Sequence, residues 1–120
     1  MTKEQRIEQA RNHHHAGCNC CQAVVLAYSD ILPIDSQTAQ KVSAPFGRGI
    51  AGCREVCGCV SGMAMVCGLT DKTENVRPLI ETFRADNGDI VCSRLLQMGK
   101  KPCNELVAYA AGLLANVCND

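Results

Sequence analysis

Tryptophan is missing from the 120-residue sequence, which has only two phenylalanines and two tyrosines. Aromatic side chains this scarce do not form the stacking platforms on which single-stranded nucleic acids bind. Neither charge is in excess, since twelve lysines and arginines balance twelve aspartates and glutamates. Without a basic stripe or an acidic tail, the composition argues against nucleic acid as a partner.

Long hydrophobic runs are missing as well. The longest uncharged apolar stretch, at residues 56–69, is too short to span a bilayer. Residues 1–6 lead into more polar residues, without the apolar core or the cleavage site of a secretory signal. We therefore expect a cytoplasmic protein without a membrane span. Its partner would be an electron-transfer or thiol protein that the sequence does not identify, and self-association is left open.

The sequence shows no strand-like alternation of apolar and polar residues between hairpin turns. Its apolar residues instead recur at helical spacing. Capping-box signatures at Thr2 with Gln5 and at Asn19 with Gln22 predict the starts of two helices. The second helix and the later ones are expected at Cys20 to Leu32, from Asp35 or Ser36 to Ala44, Cys57 to Cys67, Pro78 to Asp86, around Cys92, and Cys103 to Val117. The sequence thus predicts one all-α domain over residues 1–120, a small bundle of five to six helices with a glycine-rich connector at 46–52.

Cysteine, by contrast, is abundant, with ten residues. Cytosolic cysteine clusters bind metals or act in redox chemistry more often than they form disulfides. Five of the ten cysteines lie at or near predicted helix N-termini, where unpaired N–H groups and the helix dipole favour the thiolate. These are Cys20, Cys57, Cys59, Cys92 and Cys103. Brought together at one pole of the bundle, four such thiolates would suit an iron–sulfur cluster or tetrahedral zinc.

The local cysteine spacings are less specific. Neither Cys18-Asn19-Cys20-Cys21 nor Cys57-Gly58-Cys59 is a C-x-x-C pair, and no ferredoxin spacing occurs. The fold would therefore have to assemble the ligands.

Five short motifs follow one another along nearly the whole chain. They are Gly17-x-Asn19-Cys20-x-Gln22-Ala23, Phe46-Gly47-x-Gly49, Cys57-Gly58-Cys59-Val60-Ser61-Gly62, Phe83-x4-Gly88-x3-Cys92 and Cys103-x-Glu105-Leu106-Val107. This ordered series resembles the C_GCAxxG_C_C family of redox-active proteins, whose members share four cysteines. The resemblance assigns those four to Cys20, Cys57, Cys92 and Cys103.

The resemblance also implies a cofactor. A related domain occurs in split-Soret cytochromes c, where four cysteines are thought to hold an iron–sulfur cluster. The present sequence departs from the family motif by having Cys59 where the family has alanine. It also has five further cysteines, namely Cys18, Cys21, Cys53, Cys67 and Cys118. No C-x-x-C-H motif occurs, so covalent haem is not implied.

Three functions stay open at this point, and whether the protein is an enzyme stays open with them. The first is an iron–sulfur protein with Cys20, Cys57, Cys92 and Cys103 as ligands and Cys59 as an extra or substitute ligand. The second is a thiol–disulfide oxidoreductase or sulfur carrier, in which Cys57 or Cys59 attacks and Cys53 or Cys20 resolves. The third is a copper(I)- or zinc-binding module.

Other residues with metal-binding side chains have simpler interpretations. His13, His14 and His15 read as a solvated helix end, with only His14 on the inward face, while Met63 and Met65 read as gap-filling core residues. Cys67 and Cys118 read as ordinary apolar core cysteines. For Cys118 we also expect the C-terminal helix dipole to disfavour the thiolate.

Overall fold

The structure, a computed structural model, describes residues 1–118, and over that range it is all-helical. It has seven α-helices: α1 Lys3–His15, α2 Cys20–Leu26, α3 Ser36–Ser43, α4 Gly58–Leu69, α5 Val76–Asn87, α6 Cys92–Met98 and α7 Cys103–Cys118. The described part of the chain forms no strand, only one isolated bridge between Val56 and Val91. The all-α prediction is confirmed. The expected count of five to six helices is too low, since the described residues form seven, the short helix expected around Cys92 among them.

The predicted starts of the first three helices are observed, whereas α5 begins at Val76, two residues before the predicted Pro78. Thr2 and Gln5 close a capping box at α1, and Asn19 and Gln22 close another at α2. Asp35 caps α3 by accepting a hydrogen bond from the Thr38 amide at 2.6 Å. These side chains satisfy N–H groups that the helix itself leaves unpaired.

The predicted end of the second helix is wrong, since α2 stops at Leu26 rather than Leu32. Beyond it the chain turns in a short 3-10 segment, Ser29–Ile31. The Ala27 carbonyl accepts a hydrogen bond from the buried Arg6 guanidinium at 2.9 Å. Tyr28 points into the core and donates its hydroxyl to the Ala111 carbonyl at 2.7 Å. These tertiary bonds from α1 and α7 replace the helical continuation.

The core is centred on α2, as its nearly uniform apolar sequence predicts. It packs against α1, α3, α4 and α7. Its residues Cys21, Ala23, Val24 and Val25 are at most 1% exposed. No helix of the described residues is long and apolar enough to cross a membrane.

The connector between α3 and α4 lacks regular structure beyond a short 3-10 turn at its start, and it turns through several left-handed positions. Besides Gly49 and Gly52, positive φ occurs at Arg48, Ile50, Ala51 and Arg54. The connector then pairs with the segment before α6. Cys57 N–H donates to the Ile90 carbonyl at 2.8 Å, and Cys92 N–H donates to the Glu55 carbonyl at 2.6 Å. We call this pairing of residues 54–57 with residues 90–93 the clip.

Candidate functional site

A cleft of about 870 Å³ opens at the end of the bundle where four helices begin, and six of the ten cysteines line it. Cys20, Cys92 and Cys103 are the first residues of α2, α6 and α7, and Cys57 is the N-cap of α4. The other two lining cysteines are Cys18 and Cys59. The structure thus brings all five sequence-predicted site residues to one place, which we call the cysteine cleft.

Three of these sulfurs interact directly. The thiol of Cys59 lies beside the thiols of Cys20 and Cys57, close enough to hydrogen-bond with either. Cys59 is 1% exposed and Cys57 is 5% exposed, whereas Cys20 is half-buried at the cleft wall. A thiol has one proton, so Cys59 donates to one of its two neighbours at a time.

The hydrogen bond from Cys59 shifts the acidity of its neighbours. It lowers the pKa of Cys20 to about 6 against the opposing effect of burial, with help from the backbone N–H groups of Arg48 and Cys21. It also lowers the pKa of Cys57, whose sulfur lies near the backbone N–H groups of Cys59 and Val60. The pKa of Cys59 itself is raised, because it donates to those sulfurs and is buried. With a pKa of about 6, Cys20 is therefore a thiolate near neutral pH.

Two glycines explain how Cys20 fits here. A Cβ atom on Gly58 would lie 2.4 Å from the Cys20 sulfur, and one on Gly47 would lie 2.1 Å from Cγ of Asn19. Asn19 caps the helix that Cys20 opens. Gly58 and Gly47 are thus required because the Cys20 side chain and the side chain of its cap, Asn19, approach the backbone closely at these positions.

Across the cleft, Cys92 is paired with a cation. Arg54 donates to the Cys92 sulfur at 3.6 Å. Cys103 opens α7 nearby, and its pKa is raised by partial burial and by negative charge on Cys20 and Cys57. Sequence reasoning missed Arg54, because the contact depends on the left-handed backbone of the connector. The only feature of the sequence that could have indicated this contact is that Arg54 follows Cys53 and precedes the helix predicted at Cys57.

The histidines contribute little. Only His14 lines the cleft, as its inward periodicity predicts, and its Nδ1 lies 3.4 Å from Oδ1 of Asn104.

Within residues 1–118, no three histidine, cysteine, aspartate or glutamate side chains are arranged so that they could hold a metal ion.

Four cysteines lie away from the cleft. Cys53 is exposed, and Cys21 is buried with its sulfur 3.9 Å from that of Met65. Cys67 is a core residue and Cys118 packs partly buried against the same core, as expected, and the two side chains also interact with each other. The expectation that Cys118 resists ionisation is wrong. A hydrogen bond with the Cys67 thiol, assisted by Thr70 and by nearby cations, lowers the pKa of Cys118 to about 7.

Comparison with known proteins gives one match. A family model described as "Putative redox-active protein (C_GCAxxG_C_C)" matches residues 18–117, a range that contains all six cysteines of the cleft. No curated protein and no solved structure matches the chain.

Proposed function

Since the chain belongs to the C_GCAxxG_C_C family of redox-active proteins, we propose that it binds an iron–sulfur cluster in the cysteine cleft and acts in electron transfer or redox sensing. Cys20, Cys57, Cys92 and Cys103 would be the ligands, with Cys59 as an extra or substitute one. The observation that carries the proposal is the convergence of four helix-starting family cysteines on one cleft.

The donor set fits this cofactor. Iron–sulfur clusters are held by cysteine thiolates, and Cys20 supplies one near neutral pH without metal. Arg54 adds a hydrogen-bond donor beside Cys92, and such donors tune the potential of a cluster. When bound, the cluster would supply one-electron chemistry. If Cys59 is itself a ligand, its thiol would lose its proton on loading and its hydrogen bonds to Cys20 and Cys57 would be given up.

The test is a cysteine-to-serine series purified without oxygen. Iron and sulfide per chain are measured for each variant, with folding checked by circular dichroism. Cys57→Ser should lose most of the cofactor, because serine is a harder and far less acidic ligand. Cys53→Ser and Cys118→Ser should keep it, because neither residue lines the cleft.

Three outcomes decide the remaining points. Equal cofactor content in the Cys57→Ser and Cys118→Ser proteins would show that the proposal assigns cofactor binding to the wrong cysteines. A changed absorption spectrum in Cys59→Ser would indicate that Cys59 is a ligand. An unchanged spectrum would indicate that Cys59 only fills the position of the family's alanine and does not bind the cofactor. Colourless protein with tightly held copper or zinc would instead support a metal-binding module.

A second function is thiol–disulfide exchange, and the contact among Cys20, Cys57 and Cys59 favours it specifically. The lowered pKa of Cys20 makes it the attacking thiolate, which reverses the roles expected from the sequence, where Cys57 or Cys59 attacks and Cys20 or Cys53 resolves. Cys57 and Cys59 are the neighbouring thiols that could resolve a mixed disulfide. Cys53 lies outside the cleft, so it is the weaker resolving candidate. Metal-free protein with a disulfide that forms and breaks at Cys20 would support this function over the cluster.

A further inference from the structure

A second group of thiols lies at the far ends of two helices that begin at the cysteine cleft. α4 leads from Cys57 to Cys67, and α7 leads from Cys103 to Cys118. At 1.5 Å per residue, these paths are about 15 Å and about 22 Å long. The two helices pack against each other, and the Cys67 and Cys118 side chains meet in a hydrogen bond. The pair is therefore separate from the cleft.

The two cysteines differ in access. Cys67 is 0% exposed, whereas Cys118 is half-buried and reachable from solvent. An accessible thiol beside a buried one is the arrangement in which the first reacts with an outside partner and the second reacts only with the first.

The turn that follows α4 places a cation beside the pair. Asp71 has a positive φ of 60°, and the Lys72 N–H donates back to the Cys67 carbonyl at 2.7 Å. Lys72 and Arg6 are the cations that favour the Cys118 thiolate, and the Thr70 side chain interacts with it as well. Glu74 and Tyr28 are the other titratable groups near the pair.

From this contact and its surroundings we propose that Cys67 and Cys118 form a second redox site, a dithiol that small-molecule disulfides oxidise to an intramolecular disulfide. The Cys118 thiolate attacks a disulfide RSSR, forms a Cys118–SR bond and releases RS⁻. The Cys67 sulfur then gives up its proton to that RS⁻ and attacks the Cys118 sulfur. The Cys118–SR bond breaks, a second RS⁻ leaves and takes a proton from water, and two electrons have passed from the protein to RSSR.

The acidities of the two thiols fit this order. The pKa of Cys118 is lowered to about 7, so this residue ionises far more readily at neutral pH than an ordinary thiol. The pKa of Cys67 is raised, first by its hydrogen bond to Cys118 and also by burial and by the Cys118 charge. Forming the mixed disulfide removes the hydrogen bond and the charge. The buried thiol thus becomes easier to deprotonate once its neighbour has reacted.

The test treats the full chain, reduced without oxygen, with oxidised glutathione at neutral pH. Trypsin, glutamyl endopeptidase and cyanogen bromide then release residues 66–72 and residues 106–120, each with a single cysteine. We expect these two peptides to be disulfide-linked to each other. Glutathione remaining on Cys118, or no reaction at Cys118, would overturn the proposal.

Variants separate the pair from the other cysteines. Cys118→Ser should abolish the linkage, whereas Cys53→Ser should form it at the wild-type rate. Lys72→Gln should slow the first step about two- to fivefold, as expected if the thiolate fraction falls with a pKa rise of up to about one unit. Equal rates in wild type and Lys72→Gln would contradict the role of this lysine. Circular dichroism confirms that each variant is folded.

Discussion

At the scale of single residues, the proton on Cys59 controls the reactivity of the cleft. Cys59 occupies the position that is alanine in the family motif, so it adds a hydrogen-bond donor where the family has a methyl group. That donor is the largest cause of the lowered pKa of Cys20. Without it, only the backbone N–H groups would be left to oppose burial, which favours the neutral thiol.

The Cys59→Ala change is therefore expected to raise the pKa of Cys20. In the wild type, alkylation of Cys20 by iodoacetamide should rise with pH around a midpoint near 6, because only the thiolate reacts. In Cys59→Ala the midpoint should move up toward the ordinary thiol range, so Cys20 should react more slowly at pH 7. Mass spectrometry of the peptide containing Cys20 in metal-free protein measures both profiles. The Cys53→Ser protein is the control, and a midpoint that does not move in Cys59→Ala would show that the hydrogen bond is not the cause.

Gly58 gives a second prediction at this scale. An alanine Cβ there would lie 2.4 Å from the Cys20 sulfur and 3.0 Å from the Phe46 carbonyl oxygen. Because the oxygen belongs to the backbone, Gly58→Ala should lower the free energy of unfolding by about 1–3 kcal/mol. Gly68→Ala is the matched control in the same helix, with no atom within 4 Å of the new Cβ. It should be neutral or stabilise by up to about 1 kcal/mol in urea unfolding. Equal effects of the two changes would contradict the close approach at Gly58.

At the scale of elements, the start of α2 is tied to the end of α3. Asn19 accepts from the Gln22 amide at 2.9 Å and donates to the Ala44 carbonyl at 2.9 Å. Gln22 donates to the Gln40 carbonyl at 3.1 Å. One capping box therefore fixes both the helix that begins with Cys20 and the entry to the connector.

Replacing Asn19 with alanine should be more costly than replacing an ordinary cap. Loss of a cap costs about 0.5–2 kcal/mol, and Asn19→Ala also leaves the Ala44 carbonyl without this donor. We expect urea unfolding to place Asn19→Ala at the upper end of that range. Thr2→Ala removes the exposed capping box of α1 and should fall at the lower end. A larger loss for Thr2→Ala would contradict the proposed link between α2 and α3.

The elements also show where sequence reasoning succeeds and where it fails. Caps are local signals, so Thr2, Asn19 and Asp35 could be identified from their own side chains and near neighbours. The end of α2 could not, because Arg6 and Tyr28 redirect the chain through bonds to α1 and α7. Tertiary contacts of this kind leave no pattern in the local sequence.

At the scale of the whole molecule, the sequence predicted most of the residues that form the site but only part of how they are arranged. Helix-start positions and the family motifs identified five of the six cysteines that line the cleft, all but Cys18. The contact between Cys67 and Cys118 was not predictable, because it depends on how α4 and α7 lie against each other. Arg54 was missed for a similar reason, since its reach to Cys92 depends on backbone conformation rather than on residue type.

The clip has a mechanical consequence for the cleft. Cys57 and Cys92 each donate their own backbone N–H across it, to Ile90 and Glu55 respectively. Swinging the connector outward would break both hydrogen bonds, so the two cysteines are released together rather than one after the other. A cofactor bound to both sulfurs would join the same two segments a second time, and would therefore resist their separation along with the two hydrogen bonds.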